Sequence, residues 1–157
     1  MITRIFIHGL ESSNQGTKSI FFRKLYPDML IPNFRGSLQE RVEKLDKVLS
    51  GKSGIKIVGS SFGGLMASIY AMQNEEVVDS LVLLAPALNL FGFSKYGLKN
   101  VPIPVHIFHG TDDDVIPIES VRNIAEKIFP NLTFNMVKDD HFLHRTFKTI
   151  DWCTLLR

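Results

Sequence analysis

The chain has 157 residues, a length that suits one domain with a substantial buried core. Its formal charge is only +2 and its lysines and arginines are scattered, which argues against nucleic acid or a charged membrane surface as partner. One cysteine, Cys153, excludes an internal disulfide, and no apolar run reaches membrane-spanning length. The opening MITRIFIHG is too short and too β-branched for the apolar segment of a signal peptide, so a cytoplasmic protein is expected.

In chain order, RIFIHG reads as a buried strand, and residues from about Thr17 to Tyr26 as a helix stopped by Pro27. MLIPN is a short second strand. Ser37 and Glu40 form a capping box ahead of a helix with Leu38, Val42, Leu45, Val48 and Leu49 on one face. IKIVGS is the third strand, followed by a helix from about Phe62 to Gln73 that is apolar or small almost all round. SLVLLAP and VHIFHG are the fourth and fifth strands. Pro117 opens a helix whose inner face carries Val121, Ile124, Ala125 and Ile128, and Pro130 ends it. LTFNMV is the sixth strand. A last helix is predicted from about Leu143 to the C-terminus, with Cys153 as a small core residue.

Strands that are apolar throughout, alternating with helices, predict a three-layer α/β sandwich: about six parallel strands with helices on both faces, in one domain spanning residues 1–157. In such sheets ligands bind at the carboxyl ends of the strands. The segments after each strand therefore carry the functional interest.

The loop HGLESSNQGTKS, residues 8–19, first suggests a phosphate-binding loop. The spacing is wrong for one. Six residues separate Gly9 from Gly16, Thr17 intervenes before Lys18, and Glu11 stands where a glycine is needed. SLVLLAP also ends without the aspartate that would hold magnesium.

GSSFGG is the most specific stretch. Gly59, Ser61 and Gly63 fit G-x-S-x-G between a strand and a helix, the setting that defines a nucleophile elbow. Ser60 is the neighbouring alternative, but only Ser61 has glycine at both minus two and plus two. A serine hydroxyl needs a histidine to take its proton and a carboxylate to orient that histidine. The fifth strand ends in HGTDDDVIP, where Asp113 is selected by spacing and Asp112 and Asp114 are its local competitors. KDDHFLH follows the sixth strand and offers His141, with His144 one helical turn later. His8, His106 and His109 read as structural. No recognised metal-ligand spacing occurs, so neither metal nor other cofactor is expected.

The order Ser61, Asp113, His141, each just after a predicted strand, resembles that of the α/β-hydrolase superfamily. The chain looks most like small, capless bacterial esterases, which carry serines and a lysine after the first His-Gly, here Ser12, Ser13 and Lys18. The antiparallel N-terminal strands and inserted cap of full-size members are missing. The resemblance implies a serine hydrolase that cleaves small-molecule carboxylic esters or thioesters through an acyl-enzyme. It also implies an oxyanion hole built from the backbone N–H groups of Leu10 and Phe62. The 85–104 segment reads as a loop with one helical turn. It offers Phe91, Phe93 and Tyr96 as an acyl-pocket wall, or as a loop packed on the core edge. A monomer is expected. Two other readings stand beside this one: a hydrolase-fold binding or sensor protein with little turnover, and an amidase or acyltransferase on the same triad.

Overall fold

Short apolar runs separated by helical stretches build a sheet of five strands: β1 (Thr3–Ile7), β2 (Ile55–Ser60), β3 (Val78–Leu84), β4 (Val105–Gly110) and β5 (Leu132–Val137). The computed structural model describes residues 1–93, 95–97 and 99–157, the side chain of Phe93 excepted. The strands lie in the order β1-β2-β3-β4-β5 and every neighbouring pair is parallel. Among the described residues five α-helices accompany them: α1 (Thr17–Leu25), α2 (Leu38–Leu49), α3 (Phe62–Gln73), α4 (Ile118–Ile128) and the short α5 (Trp152–Leu155).

Successive strand residues point to opposite faces, so each strand must be apolar on both. Ile5, Ile7, Ile55, Ile57, Leu81, Leu83, Val105 and Ile107 enter one core, against α2, α3 and α4. Phe6, Val58, Val82 and Leu84 enter the other, where Phe22 of α1 meets Leu143, Phe147 and Trp152. The helices follow the same logic. α2 is amphipathic and buries Val42, Leu45 and Leu49, each worth about 1.5–3 kcal/mol on leaving water. α3 is buried almost all round. The capping box is present: Ser37 Oγ accepts the Glu40 N–H, and Glu40 Oε1 accepts the Ser37 N–H, both at 3.2 Å.

The structure departs from the sequence reading at three places. MLIPN forms no strand. It contributes one parallel bridge, Leu30 to Ile5, because Pro32 has no N–H to donate and restricts Ile31 before it. The sheet therefore has five strands rather than six, with Leu30 at the outer side of β1.

The last helix is also broken. Leu143 has φ 55°, and the Arg145 and Thr146 N–H groups donate to the Asp139 carboxylate at 2.9 and 2.7 Å. A 3₁₀ turn at Phe147–Thr149 and α5 replace it. Cys153 is exposed, because Trp152 and Leu156 fill the core position instead. The 85–104 segment holds a 3₁₀ helix at Leu88–Phe93. Among the described residues no helix is long and apolar enough to cross a membrane.

Candidate active site

Between β2 and α3 the chain reverses within one residue. Ser61 takes φ 55° and ψ −115°, a conformation that side chains rarely adopt. Crowding explains its glycine neighbours. A Cβ on Gly59 would lie 2.5 Å from the Gly63 carbonyl oxygen, and one on Gly63 would lie 2.1 Å from the Ile7 carbonyl oxygen. The turn is held by the Ser61 N–H donating to the Leu84 carbonyl at 2.9 Å. The Ser61 carbonyl in turn accepts from the N–H groups of Gly64 and Ala87, each at 2.9 Å.

β4 and β5 deliver an acid and a base to the same end of the sheet. His141 Nδ1 donates to Asp113 Oδ2 at 2.7 Å. The Asp113 side chain is fully buried, and its Oδ1 accepts the N–H groups of Val115 and Ile116 at 2.9 and 2.7 Å. All three donors meet carboxylate oxygens acting as acceptors. Asp112 and Asp114 stay exposed, and Asp112 pairs with Lys138 at 3.1 Å. His144 is exposed as well, bonded through Nδ1 to Asp140 at 2.5 Å. That hydrogen bond holds the Asp140 carboxyl below the usual range.

His8 is buried and its ring is committed on both sides. Nδ1–H donates to the Gly9 carbonyl at 2.7 Å, and Nε2 accepts the Phe34 N–H at 2.9 Å. Burial holds its pKa below the ordinary 6.5, with Arg41 and Lys44 adding to that and the Gly9 hydrogen bond opposing it. The Ser12 N–H donates to the same Gly9 oxygen at 3.2 Å. A trans peptide directs its C=O and N–H to opposite sides, so fixing the Gly9 carbonyl also fixes the Leu10 N–H. Gly9 lies against the elbow, since a Cβ built on it would stand 3.5 Å from Ser61 Cβ. Phe62 is the first residue of α3, so its N–H has no acceptor inside the helix.

Ser61, His141, Leu10 and Phe62 all line one cavity of about 700 Å³. Its other walls include Phe6, Leu90, Val115, Phe142 and Phe147, with Lys18 and Asn89 as polar members. The acyl-wall residues named from the sequence fall elsewhere. Phe91 is buried in the core and Tyr96 packs at its edge, and neither faces the cavity. Leu90 occupies that wall, because the 3₁₀ turn rotates Phe91 inward. The Phe93 side chain lies outside the described residues.

Three contributors were not legible as such in the sequence. Asp139 is buried, and burial opposes its ionisation. Hydrogen bonds from Asp140, Thr146 and Arg145 more than offset this and leave its carboxyl below the usual range. Asp139 thereby ties down the loop that carries His141. Gly110 lets that loop approach, since a Cβ there would lie 2.3 Å from the Asp139 carbonyl oxygen. Lys18 reaches across from α1 and donates to the Phe142 carbonyl at 2.8 Å. Burial lowers the pKa of its ammonium, with Asp140 and Asp139 opposing the shift. Ser13, singled out with Lys18, serves the start of α1: its Oγ accepts the Gln15 N–H at 3.1 Å and its carbonyl accepts the Ser19 hydroxyl at 3.1 Å.

A family model described as the alpha/beta hydrolase family matches residues 38–147, a stretch that contains Ser61, Asp113 and His141. The chain belongs to the alpha/beta hydrolase family. Solved structures share the fold of this hydrolase-family protein at low identity. An α/β serine hydrolase homologue from Coxiella burnetii is 23% identical with a TM-score of 0.78, covering 99% of this chain and 84% of that one. The mouse alpha/beta hydrolase domain-containing protein 10 is 17% identical with a TM-score of 0.80, covering 98% and 87%. Est1E from Butyrivibrio proteoclasticus, with ferulic acid bound, is 15% identical with a TM-score of 0.78, covering 95% and 84%. No curated protein matches this chain by sequence. Among the described residues no three His, Cys, Asp or Glu side chains converge as a metal site would require.

Proposed function

We propose that this α/β-hydrolase is a serine hydrolase that cleaves carboxylic esters or thioesters of small acyl substrates. The observation that carries the reading is the His141–Asp113 hydrogen bond at 2.7 Å, made by a histidine that lines the same cavity as a serine on a positive-φ turn.

The chemistry follows from the atoms. Asp113 accepts the Nδ1 proton of His141, which leaves Nε2 as the basic nitrogen. His141 takes the Ser61 proton as the hydroxyl oxygen attacks the substrate carbonyl. The carbonyl oxygen gathers negative charge and is received by the N–H groups of Leu10 and Phe62. His141 then returns the proton to the leaving alkoxide or thiolate, and an acyl-Ser61 ester remains. Water enters and gives a proton to His141 as its oxygen attacks the acyl carbon; the bond to Ser61 Oγ breaks, His141 returns the proton to Oγ, and the acid leaves. The positive end of α3 lies under Ser61 and favours the developing charge. With no inserted cap over the sheet, the cavity opens to solvent, which suits the capless esterase-like branch of the family.

The test is direct. Wild-type protein hydrolyses short-acyl p-nitrophenyl esters or acyl thioesters, a fluorophosphonate labels Ser61, and Ser61→Ala abolishes both. Folded wild-type protein that is neither labelled nor active across an ester, thioester and amide panel overturns the proposal. Tight small-molecule binding unchanged by Ser61→Ala would then identify a binding protein.

A further inference from the structure

The acid of the triad is touched by two imidazoles. His109, at the carboxyl end of β4, is fully buried. Its Nε2 lies 3.2 Å from Asp113 Oδ2, the same oxygen that receives the His141 Nδ1 proton, and 2.9 Å from the Ile116 carbonyl. Its Nδ1 is buried without a partner among the described residues. The tautomer follows from these contacts. Nε2 faces two acceptors and so carries the proton, whereas Nδ1 faces none and is bare. A buried ring nitrogen left unpaired costs stability. A phenylalanine or leucine would avoid that cost but would take the donor from the Ile116 carbonyl and the polar ring edge from Asp113 Oδ2, so the histidine serves these two contacts.

We propose that His109 is a positioning residue for the triad: its Nε2–H donates to the Ile116 carbonyl and this sets the polar edge of the ring 3.2 Å from Asp113 Oδ2, which fixes the aim of Asp113 and the strength with which it holds the His141 proton. The inference rests on the serine-hydrolase reading of Ser61, His141 and Asp113. Burial lowers the pKa of the His109 ring, with Ile116 and Asp113 opposing and His141 adding to the shift, so it donates as a neutral group. The other charges nearby are engaged elsewhere. Asp139 turns to the amides of its own loop, and the Lys138–Asp112 pair is on the solvent side.

Three measurements test this, each with the intact chain. In wild-type protein with ¹⁵N-labelled histidines, the His109 Nε2–H resonance moves as His141 titrates, because both rings share one oxygen. A resonance that stays flat through that titration overturns the proposal. His109→Phe removes the donor at similar bulk. Asp113 then holds the His141 proton more tightly, so the acidic limb of kcat/KM moves to higher pH and kcat falls about tenfold or more with KM little changed. His109→Gln keeps an amide N–H near the Nε2 position and restores the wild-type limb. A folded His109→Phe with an unaltered pH profile, or a His109→Gln displaced as far as His109→Phe, also overturns it. Should His109→Phe not fold, the wild-type resonance and His109→Gln decide. Absence of Ser61-dependent turnover in the wild type would instead strike the serine-hydrolase reading, leaving the two failures distinguishable.

Discussion

His8 donates its Nδ1 proton to the carbonyl of its own neighbour, Gly9, at 2.7 Å, and so holds the peptide that carries the Leu10 N–H. A residue that touches no reacting atom thereby orients a group proposed to meet the oxyanion. His8→Leu is expected to lower kcat roughly tenfold to a hundredfold, less than outright removal of an oxyanion donor. It also strands the Phe34 N–H, which His8 Nε2 now accepts, at a cost of about 1–3 kcal/mol in stability. Steady-state kinetics beside urea unfolding check both; an unchanged kcat in the folded variant would show that the Gly9 peptide holds itself.

Asp113→Asn has a forced geometry. Oδ1 accepts two backbone N–H groups, so the amide oxygen of the variant must stay there and its NH₂ must replace Oδ2. That NH₂ then donates to His141 Nδ1, and the imidazole proton moves to Nε2, the wrong nitrogen for a base. The expected loss in kcat is on the order of 10⁴-fold with little change in fold. A loss below about tenfold, measured on correctly folded protein, would remove Asp113 from the proposed mechanism.

Gly110 separates the acid loop from the base loop. A methyl group there would stand 2.3 Å from the Asp139 carbonyl oxygen and 2.6 Å from that of Asp140. Gly110→Ala must push the two loops apart, costing about 1–3 kcal/mol in stability and lengthening the His141–Asp113 contact. The variant is expected to lose more in kcat than in KM. Thermal melting and single-turnover kinetics report the two effects separately; wild-type kinetics in Gly110→Ala would mean the loops tolerate the displacement.

Acid should destabilise the fold in two stages. Burial lowers the pKa of His8, His106 and His109 below 6.5. The unfolded chain therefore binds protons first, and the stability these rings confer, complete above 6.5, declines as pH falls through that value towards their folded pKa values. Asp139, Asp140 and Asp151 are lowered from 3.8, so their contribution is lost only below that value. Urea midpoints at about pH 8 and about pH 5 should differ, and His106→Gln, in β4 and outside the site, should narrow the gap. Equal midpoints would contradict the histidine contribution.

The local chemistry of the chain was enough to place some of this. G-S-S-F-G between an apolar run and a buried helix specifies the elbow, because the clash at Gly59 is with Gly63 and Gly64, close in the chain, although the one at Gly63 is with the distant Ile7 carbonyl of β1. The capping box at Ser37 follows from the Ser37–Glu40 spacing, and the parallel, doubly covered sheet from strands apolar throughout that alternate with helical stretches. Sequence patterns failed where distant backbone decided. Pro32 reduced a strand to one bridge. Asp139 captured the N–H groups that a C-terminal helix would have used, and so placed His144 in solvent and Cys153 on the surface. The aromatic composition of the 85–104 segment left Phe91 and Tyr96 open as a cavity wall or as part of a loop packed on the core edge; they pack on the core, and the 3₁₀ turn at Leu88–Phe93 brings Leu90 to the cavity. Residue type and order along the chain determined which side chains could act. Which of them meet depended on the tertiary structure, because the hydrogen bond between His141 and Asp113 joins residues 28 positions apart that the parallel pairing of β4 and β5 brings together.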